Sequence, residues 1–240
     1  MFASSSAPTE GVLSGAPSIL GLDVDSRLAF LRKTYGLFTL GIAAASGGAM
    51  VGLTTGLGRS LFGLGWIGIM LIMLVGYFAV YALRKTPVLN VVAFLAYLFV
   101  DGLTLTPLLA YTLMNKGAVV GTMNIMTAFG GTSVAFAGLT AYVFISRKDF
   151  SYLGGFLVMG FLGMLGFAIF GMVAGMGPGA WMLYHGLGLL LGCGYILFVT
   201  SRILNNYSQD EYVLAALCLA TEFIAFFIHL LSLLNSRDSR

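Results

Sequence analysis

Long apolar stretches, separated by short polar segments, make up most of this chain of 240 residues. Each stretch is long enough to cross a bilayer as an α-helix, which takes about 20 apolar residues. The stretches are too continuous for the strands of a membrane barrel, in which apolar and polar positions alternate. The pattern predicts an all-α integral membrane protein, a bundle of seven transmembrane helices. The predicted spans lie near residues 34–56, 61–83, 88–114, 118–145, 152–174, 180–203 and 211–234.

The composition of the chain agrees with a bilayer environment. Hydrophobic residues make up 59% of the chain, charged residues 9%, and the mean hydropathy is +0.97. Soluble domains average about 25% charged residues, and a globular core of this size cannot bury so much apolar surface. The net charge is +3, and no basic stretch is interleaved with aromatic residues. We therefore expect the lipid bilayer as a partner and no nucleic acid.

The ends of the chain predict two tails around one transmembrane domain. Residues 1–26 lack a basic segment followed by a continuous apolar stretch, so they do not resemble a cleaved signal peptide. We expect them to form a flexible cytoplasmic tail. Residues 27–236 form the transmembrane domain, whose connecting segments are too short for a soluble domain. Residues 237–240 form a short C-terminal tail.

Basic residues in the connecting segments predict the orientation, because Lys and Arg are enriched on the cytoplasmic side of a membrane. With seven spans, eight of these residues fall on the side of the N-terminal tail and four on the other side. This bias places the N-terminus in the cytoplasm and the C-terminus outside. If the last apolar stretch re-entered the membrane without crossing it, the C-terminus would instead lie on the cytoplasmic side.

Two acidic residues fall deep inside predicted spans, where a charge is most costly. Asp101 lies near the middle of the third span and Glu222 near the middle of the seventh. The two carboxyl groups therefore lie at similar depth if both helices cross straight. Ionisable residues at this depth usually face the bundle interior and mark an ion or proton path. The alternative is a carboxyl group that hydrogen-bonds a neighbour and only fixes packing.

The histidines and cysteines add one further candidate. His229 follows Glu222 by seven residues, which places both on one helix face and makes His229 a candidate for the same ion path or proton sensing. The simpler interpretation is a neutral histidine at the membrane interface. His185 follows Trp181 and Tyr184, a grouping typical of an aromatic belt. The cysteines, at positions 193 and 218, are interpreted as small buried hydrophobic residues.

The sequence contains none of the common catalytic or cofactor motifs. There is no HExxH, no GxSxG, no CxxC and no phosphate-binding loop, and no strand precedes the glycine-rich stretches. We therefore expect no catalytic residue, no metal site and no cofactor, and we predict that the chain is not an enzyme.

Five segments of the sequence carry a further signal. They are FLRKTYGLFTLGI at the first span, DGLTLTP in the third, SRKDFSYLGGFLVMGFLG before and in the fifth, YILFVTSRIL in the sixth, and DEYVLAALCLATEFIAFFIHLLSLL in the seventh. In this order and at this spacing they resemble segments of the Bax inhibitor-1 family over residues 27–236. The short connecting segments are most similar to those of its bacterial, YccA-like branch.

The resemblance implies a seven-helix bundle with the last helix near its centre. Some members of the family are pH-sensitive calcium leaks, in which an aspartate on each of the last two helices forms a proton-linked gate. Carried over to this chain, the acid of the last helix falls on Glu222 and its partner falls on Val199. Valine cannot share a proton with a carboxyl group, so the paired gate is absent. Asp101 is then the candidate for a replacement acid from another helix.

Two functions stay open at this point. The first is a pH-modulated leak for cations, calcium in particular, with Glu222 and Asp101 in the path. The second is a non-conducting interaction protein, such as a modulator of the membrane AAA protease FtsH, with which YccA-like members are associated, or an accessory subunit of a membrane complex. Both place the chain in a bacterial inner membrane.

Overall fold

The computed structural model describes residues 23–63, 65–175 and 177–237, and most of these residues are helical. Within these ranges there are eight α-helices and two single 3-10 turns, at Ser151–Leu153 and Gln209–Glu211. The helices are α1 (Val24–Thr55), α2 (Leu57–Phe62), α3 (Gly65–Leu83), α4 (Leu89–Lys116), α5 (Ala118–Ser146), α6 (Gly154–Ala174), α7 (Pro178–Asn206) and α8 (Tyr212–Arg237).

Six of these helices, α1 and α4 to α8, are long and apolar enough to cross a membrane. Helix α3 is also apolar but shorter, at 19 residues. Large apolar side chains are exposed on the outer faces of the bundle, for example Phe156 and Val173 on α6. These surfaces are suited to contact with lipid, and the all-helical integral membrane class predicted from the sequence is confirmed.

The first helix begins ten residues before the first predicted span. The side chain of Asp23 accepts a hydrogen bond from the backbone N–H of Ser26, at 3.1 Å, which caps the helix N-terminus. The hydropathy pattern places the start of the first span after the basic residues Arg32 and Lys33. The helix itself begins earlier, because a helix can continue beyond the hydrocarbon core. Most of the predicted tail, residues 1–22, lies outside the described residues. Its last residues form the cap and first turn of α1.

The first apolar stretch is followed by a short helix and not by the expected loop. Gly56 ends α1 with a φ of 76°, in the left-handed region that glycine adopts without strain. Helix α2 follows at once, and a Cβ atom on its Gly58 would meet the side chain of Thr106 on α4. The segment GLGRS is therefore packed against the bundle.

Helices α1 and α4 run parallel and pack closely. Gly41 of α1 faces Leu98 of α4, and Gly52 faces Thr106, so residue numbers rise together along both helices. The buried positions of α1 include three glycines and two alanines at intervals of three or four residues. Small residues at this spacing let two helix backbones approach within a membrane, where no hydrophobic effect drives association.

Helix α8 lies at the centre of the bundle. In its apolar window 56% of the residues are buried, whereas the other five spanning candidates have 11–33%. It packs against α1, α4, α5 and α7. The ring of Phe223 on α8 makes edge-to-face contacts with Phe38, Phe129 and Phe136, with ring centroids 5.6–5.8 Å apart. The central last helix expected from the family resemblance is thus present.

The direction of each helix defines two ends of the bundle. Lys33 of α1 lies over the ring of Tyr212, which begins α8, and Ala49 packs in one cluster with Leu231. Helices α1 and α8 are therefore parallel. Helix α7 is antiparallel to α8, since Gly188 lies against His229 and Tyr207 against Cys218. We call the end where α1 and α8 begin the proximal end, and the opposite end the distal end.

The segment between α5 and α6 is held against α7 by hydrogen bonds. The backbone N–H of Phe150 donates to the Ser201 hydroxyl at 2.9 Å, and that hydroxyl donates to the Asp149 carboxylate at 3.2 Å. The same carboxylate accepts from the backbone N–H of Ser151 at 2.9 Å. These bonds fix the polar motif SRKDFS at the proximal end.

Candidate functional site

Glu222 projects from the central helix toward α7. It is partly buried, and its carboxyl group makes no hydrogen bond to any residue that the structure describes. Tyr195 of α7 lies within electrostatic range of it. The Tyr195 hydroxyl itself donates to the backbone carbonyl of Leu157 on α6, at 3.0 Å. The Glu222 carboxyl therefore has a polar neighbour but no hydrogen-bond partner among these residues.

Polar side chains continue from Glu222 toward the proximal end of the bundle. One turn before Glu222, the Cys218 thiol lies 3.4 Å from the Tyr207 hydroxyl of the α7–α8 segment. Tyr77 of α3 also lies beside this thiol, and Arg202 is within electrostatic range of it. Polar groups, most of them from neighbouring elements, thus line this side of α8 from Glu222 toward the start of the helix.

Asp101 lies on the side of α4 that faces α3. The Thr104 hydroxyl donates to the Asp101 backbone carbonyl at 2.7 Å, and its distance to the carboxylate is 3.5 Å. Tyr97, one turn earlier, is within electrostatic range of the Asp101 carboxylate. A Cβ atom on Gly76 of α3 would meet the Tyr97 ring. Asp101 therefore borders the α3–α4 contact.

The two acids lie at similar depth in the bundle. The Asn235 side-chain amide of α8 donates to the Thr112 hydroxyl of α4 at 2.7 Å, which sets the two parallel helices in register. Asp101 precedes Thr112 by 11 residues and Glu222 precedes Asn235 by 13. At 1.5 Å per residue these offsets correspond to about 17 and about 20 Å.

The structure does not bring the two carboxyl groups into contact. The described neighbours of Asp101 are Thr104 and Tyr97, whereas those of Glu222 are Tyr195 and Cys218. Tyr77 links the two sets, since it lies beside Cys218 and near Tyr97. The acids therefore border one polar region from two sides but do not form a carboxyl pair.

Val199 packs in an apolar environment. It contacts a core cluster that includes Leu219 and Phe223 of α8, on either side of Glu222 in the sequence. An acid at this position would lie near Glu222, as the family resemblance implies. Because valine stands at this position, α7 supplies no second carboxyl group beside Glu222.

A cavity of about 530 Å³ lies on another side of α8, among α1, α4 and α5. Its walls are almost entirely apolar, and neither Asp101 nor Glu222 lines it. Phe223, Ile224 and Phe227 separate it from the polar side of the helix. A cation path through Glu222 would therefore run along the α3 and α7 side of the bundle and not through this cavity.

The two histidines of the chain meet near the distal end. The Nδ1 atoms of His185 on α7 and His229 on α8 are 3.2 Å apart. The sequence pattern places each histidine near the membrane interface but does not predict their contact. A signal was available: the two residues lie 22 positions before and 22 positions after Tyr207, which stands at the bend of this helical hairpin.

These features define an all-α integral membrane protein with a central acid-bearing helix. A sequence model described as inhibitor of apoptosis-promoting Bax1 matches residues 27–239. The chain therefore belongs to the Bax inhibitor-1 family, as its sequence motifs predicted.

Relatives of the chain come from several groups of organisms. It is 28% identical to mouse protein lifeguard 4 over 232 residues, covering 92% of this chain and 91% of that protein. It is 30% identical over 217 residues to an uncharacterized protein of Campylobacter jejuni, covering 88% and 90%. It is 39% identical to Bax inhibitor 1 of Schizosaccharomyces pombe over 100 residues, covering 42% and 38%.

Proposed function

We propose that this protein is a pH-modulated cation leak, for calcium in particular, in which Glu222 is the proton-sensitive group. The proposal rests on one observation: the Glu222 carboxyl lies on the most buried helix without a hydrogen-bond partner among the described residues. A carboxyl group that only fixed packing would be hydrogen-bonded at this depth, because an unsatisfied polar group is costly there. Its oxygen atoms remain available to a proton or to calcium, which prefers oxygen ligands.

The polar side chains along α8 support a route from Glu222 to the proximal end. Cys218, Tyr207 and Tyr77 lie in that direction, and their thiol and hydroxyl groups can interact with water. Asp101 borders the same region from α4 and is proposed as a second acid in the path. Asp101 does not take the place of the acid that is missing at position 199. We therefore propose that single carboxyl groups, and not a carboxyl pair, modulate the leak.

The proposed topology has seven spans, with the proximal end and the N-terminus in the cytoplasm and the C-terminus outside a bacterial inner membrane. Two observations support it. Helices α1 and α4 are parallel, so the chain must return between them, and α3 is the long helix in that segment. The basic residues Arg32, Lys33, Arg84 and Arg147 lie at the proximal end, as the enrichment of cations in the cytoplasm predicts.

The proposal is tested by calcium flux into proteoliposomes between pH 6 and 8. Wild-type protein is compared with Glu222→Gln, which keeps the shape of the side chain and removes its titration. Asp210→Asn is the matched control, since it removes an exposed acid just before the same helix. We expect a pH-dependent flux in the wild type and the control, and a flux without this pH dependence in Glu222→Gln. Equal pH profiles in all three proteins would contradict the proposed role of Glu222.

A parallel measurement on Asp101→Asn tests the second acid. If Asp101 lies in the path, this variant reduces the flux while the pH response through Glu222 is retained. An unchanged flux would leave Asp101 as a packing residue that interacts with Thr104.

A non-conducting interaction role is the second candidate function. The apolar packing of Val199 favours it, because the position that would complete a carboxyl pair is occupied by a core side chain. In this case the protein modulates a membrane AAA protease such as FtsH or is an accessory subunit of a membrane complex. Folded protein without flux, and a stable complex with purified FtsH in mild detergent, would support it. A monodisperse protein that forms no such complex would contradict the FtsH role. Neither candidate involves enzymatic catalysis.

A further inference from the structure

The contact between His185 and His229 joins the only two histidines of the chain, from two different helices. The imidazole rings are 5.4 Å apart between centroids, and their Nδ1 atoms are 3.2 Å apart. An imidazole nitrogen is a hydrogen-bond group and also a common ligand for transition metals. The contact can therefore serve as a simple N–H···N hydrogen bond or as half of a metal site.

The surrounding side chains fix the orientation of both rings. The Trp181 ring stacks on His185 with centroids 6.0 Å apart, and the Tyr184 ring packs against both histidines, at 5.2 and 5.7 Å. A Cβ atom on Gly188 would occupy the space taken by the His229 ring. The absence of a side chain at Gly188 thus admits this ring between the helices. Two donors held in this way lose little conformational entropy when they bind a common ligand.

The distance between the two nitrogen atoms suits one tetrahedral metal ion. Zinc binds histidine nitrogen at about 2.0–2.1 Å, so two ligands at a tetrahedral angle are about 3.3 Å apart. The observed separation of 3.2 Å lies close to this value. We propose that His185 and His229 form a binding site for a divalent transition-metal ion of the zinc type. Calcium does not fit the site, because it prefers oxygen ligands, so the site is separate from the proposed cation path.

The position of the pair near the distal end allows the other ligands to come from solvent. His185 lies seven residues into α7, a helix of 29 residues, or about 10 Å from its start. A helix of this length exceeds the hydrocarbon thickness by about 13 Å, so the pair lies close to the headgroup boundary. No third His, Cys, Asp or Glu joins the pair among the residues that the structure describes. Water or headgroup oxygens would complete the coordination, and we expect weaker binding than at four-ligand structural zinc sites.

The first test is nitrogen NMR of histidine-labelled protein, without an affinity tag, in lipid nanodiscs. Because the chain has only two histidines, the spectrum contains four ring nitrogen signals. We expect one equivalent of Zn²⁺ to shift both Nδ1 signals together, to the positions typical of metal-bound imidazole. If zinc left both Nδ1 signals in place, the pair would be a hydrogen bond only and the proposal would be overturned. A shift of one histidine alone would overturn the shared site as well.

Variants provide the second test, with zinc binding measured by titration calorimetry. His185→Gln and His229→Gln should each weaken binding by at least about tenfold, since each removes one of two ligands. Asp210→Asn is the control: it removes an exposed acid at the opposite end of the bundle and should bind zinc as the wild type does. Unchanged binding in the double histidine variant would place the ion elsewhere and refute the site. The NMR result on wild-type protein decides the question if a variant does not fold.

Discussion

The close contact between α1 and α4 predicts opposite effects for two neighbouring glycines. A Cβ atom on Gly48 would meet the backbone carbonyl of Phe99, whereas a Cβ atom on Gly47 would meet nothing within 4 Å. Both glycines lie on α1, and the same substitution to alanine is made at each. We therefore compare Gly48→Ala with Gly47→Ala, where the added methyl group differs only in what it touches.

The expected size of each effect follows from these contacts. In Gly48→Ala the methyl group meets backbone, which cannot rotate away, so the helices must separate by roughly 1–2 Å to restore an ordinary carbon–oxygen contact. Overpacking of this kind costs about 1–3 kcal/mol of unfolding free energy. In Gly47→Ala no such contact forms, and the higher helix propensity of alanine stabilises by at most about 1 kcal/mol. Both variants gain this propensity, so they should differ by the overpacking cost alone, about 1–3 kcal/mol.

The assay is reversible unfolding of the purified protein in mixed micelles, followed by circular dichroism. We expect the unfolding midpoint of Gly48→Ala to fall and that of Gly47→Ala to stay or rise. Phe99 and Gly102 face α1, whereas Asp101, close to both in the sequence, faces α3. A shift of α4 in Gly48→Ala should therefore also move that acid. Equal midpoints for the two variants would refute the close approach of α1 and α4.

Three further predictions concern other contacts. Val199→Asp places an acid near Glu222, so the calcium flux through this variant should depend more steeply on pH than the flux through the wild type. An unchanged pH profile would contradict the proximity of position 199 to Glu222. Thr112→Val deprives the Asn235 amide of its 2.7 Å acceptor and should lower the unfolding free energy by about 1–2 kcal/mol in micelles, with Thr104→Val as a partly buried control. Hydrogen bonds from Ser151, and then from Ser201, hold the pKa of Asp149 below its ordinary value of 3.8. The Asp149 carboxylate therefore holds the α5–α6 segment fully at neutral pH, and this contribution is lost only below pH 3.8. Hydrogen exchange at the Phe150 amide measures the loss. Ser201→Ala should lose the protection of this amide already at neutral pH.

The fold could be predicted from the sequence to the extent that it depends on hydropathy. The predicted ends of most helices agree with the structure to within about four residues, because apolar stretches of this length have few alternatives to a membrane helix. The start of α1 at Val24 and the short helix α2 were missed. Both lie in polar segments, where the helix is decided by a cap at Asp23 and by packing of Gly58 on Thr106. Hydropathy carries no information about either contact.

The site was less accessible to sequence reasoning than the fold. The depth of Asp101 and Glu222 followed from their positions in the spans, but the direction of each side chain depends on helix rotation. Helix rotation is fixed by packing, here by Gly102 of α4 against α1 and by Phe223 of α8 among three aromatic rings. The same rotation brings His229 to His185, which sequence spacing within one helix cannot reveal.

The aromatic contacts of Phe223 also limit how Glu222 can respond to protonation. Phe223 makes three edge-to-face contacts, with rings on α1 and α5, and each such pair contributes about 0.5–1.5 kcal/mol. Rotating α8 to move Glu222 would break all three contacts, at a cost of roughly 2–4 kcal/mol, in addition to the lost core burial. A change of the Glu222 rotamer costs much less than this. A proton-dependent change at Glu222 should therefore begin with its own side chain and the polar groups toward the proximal end, while α8 keeps its place in the bundle.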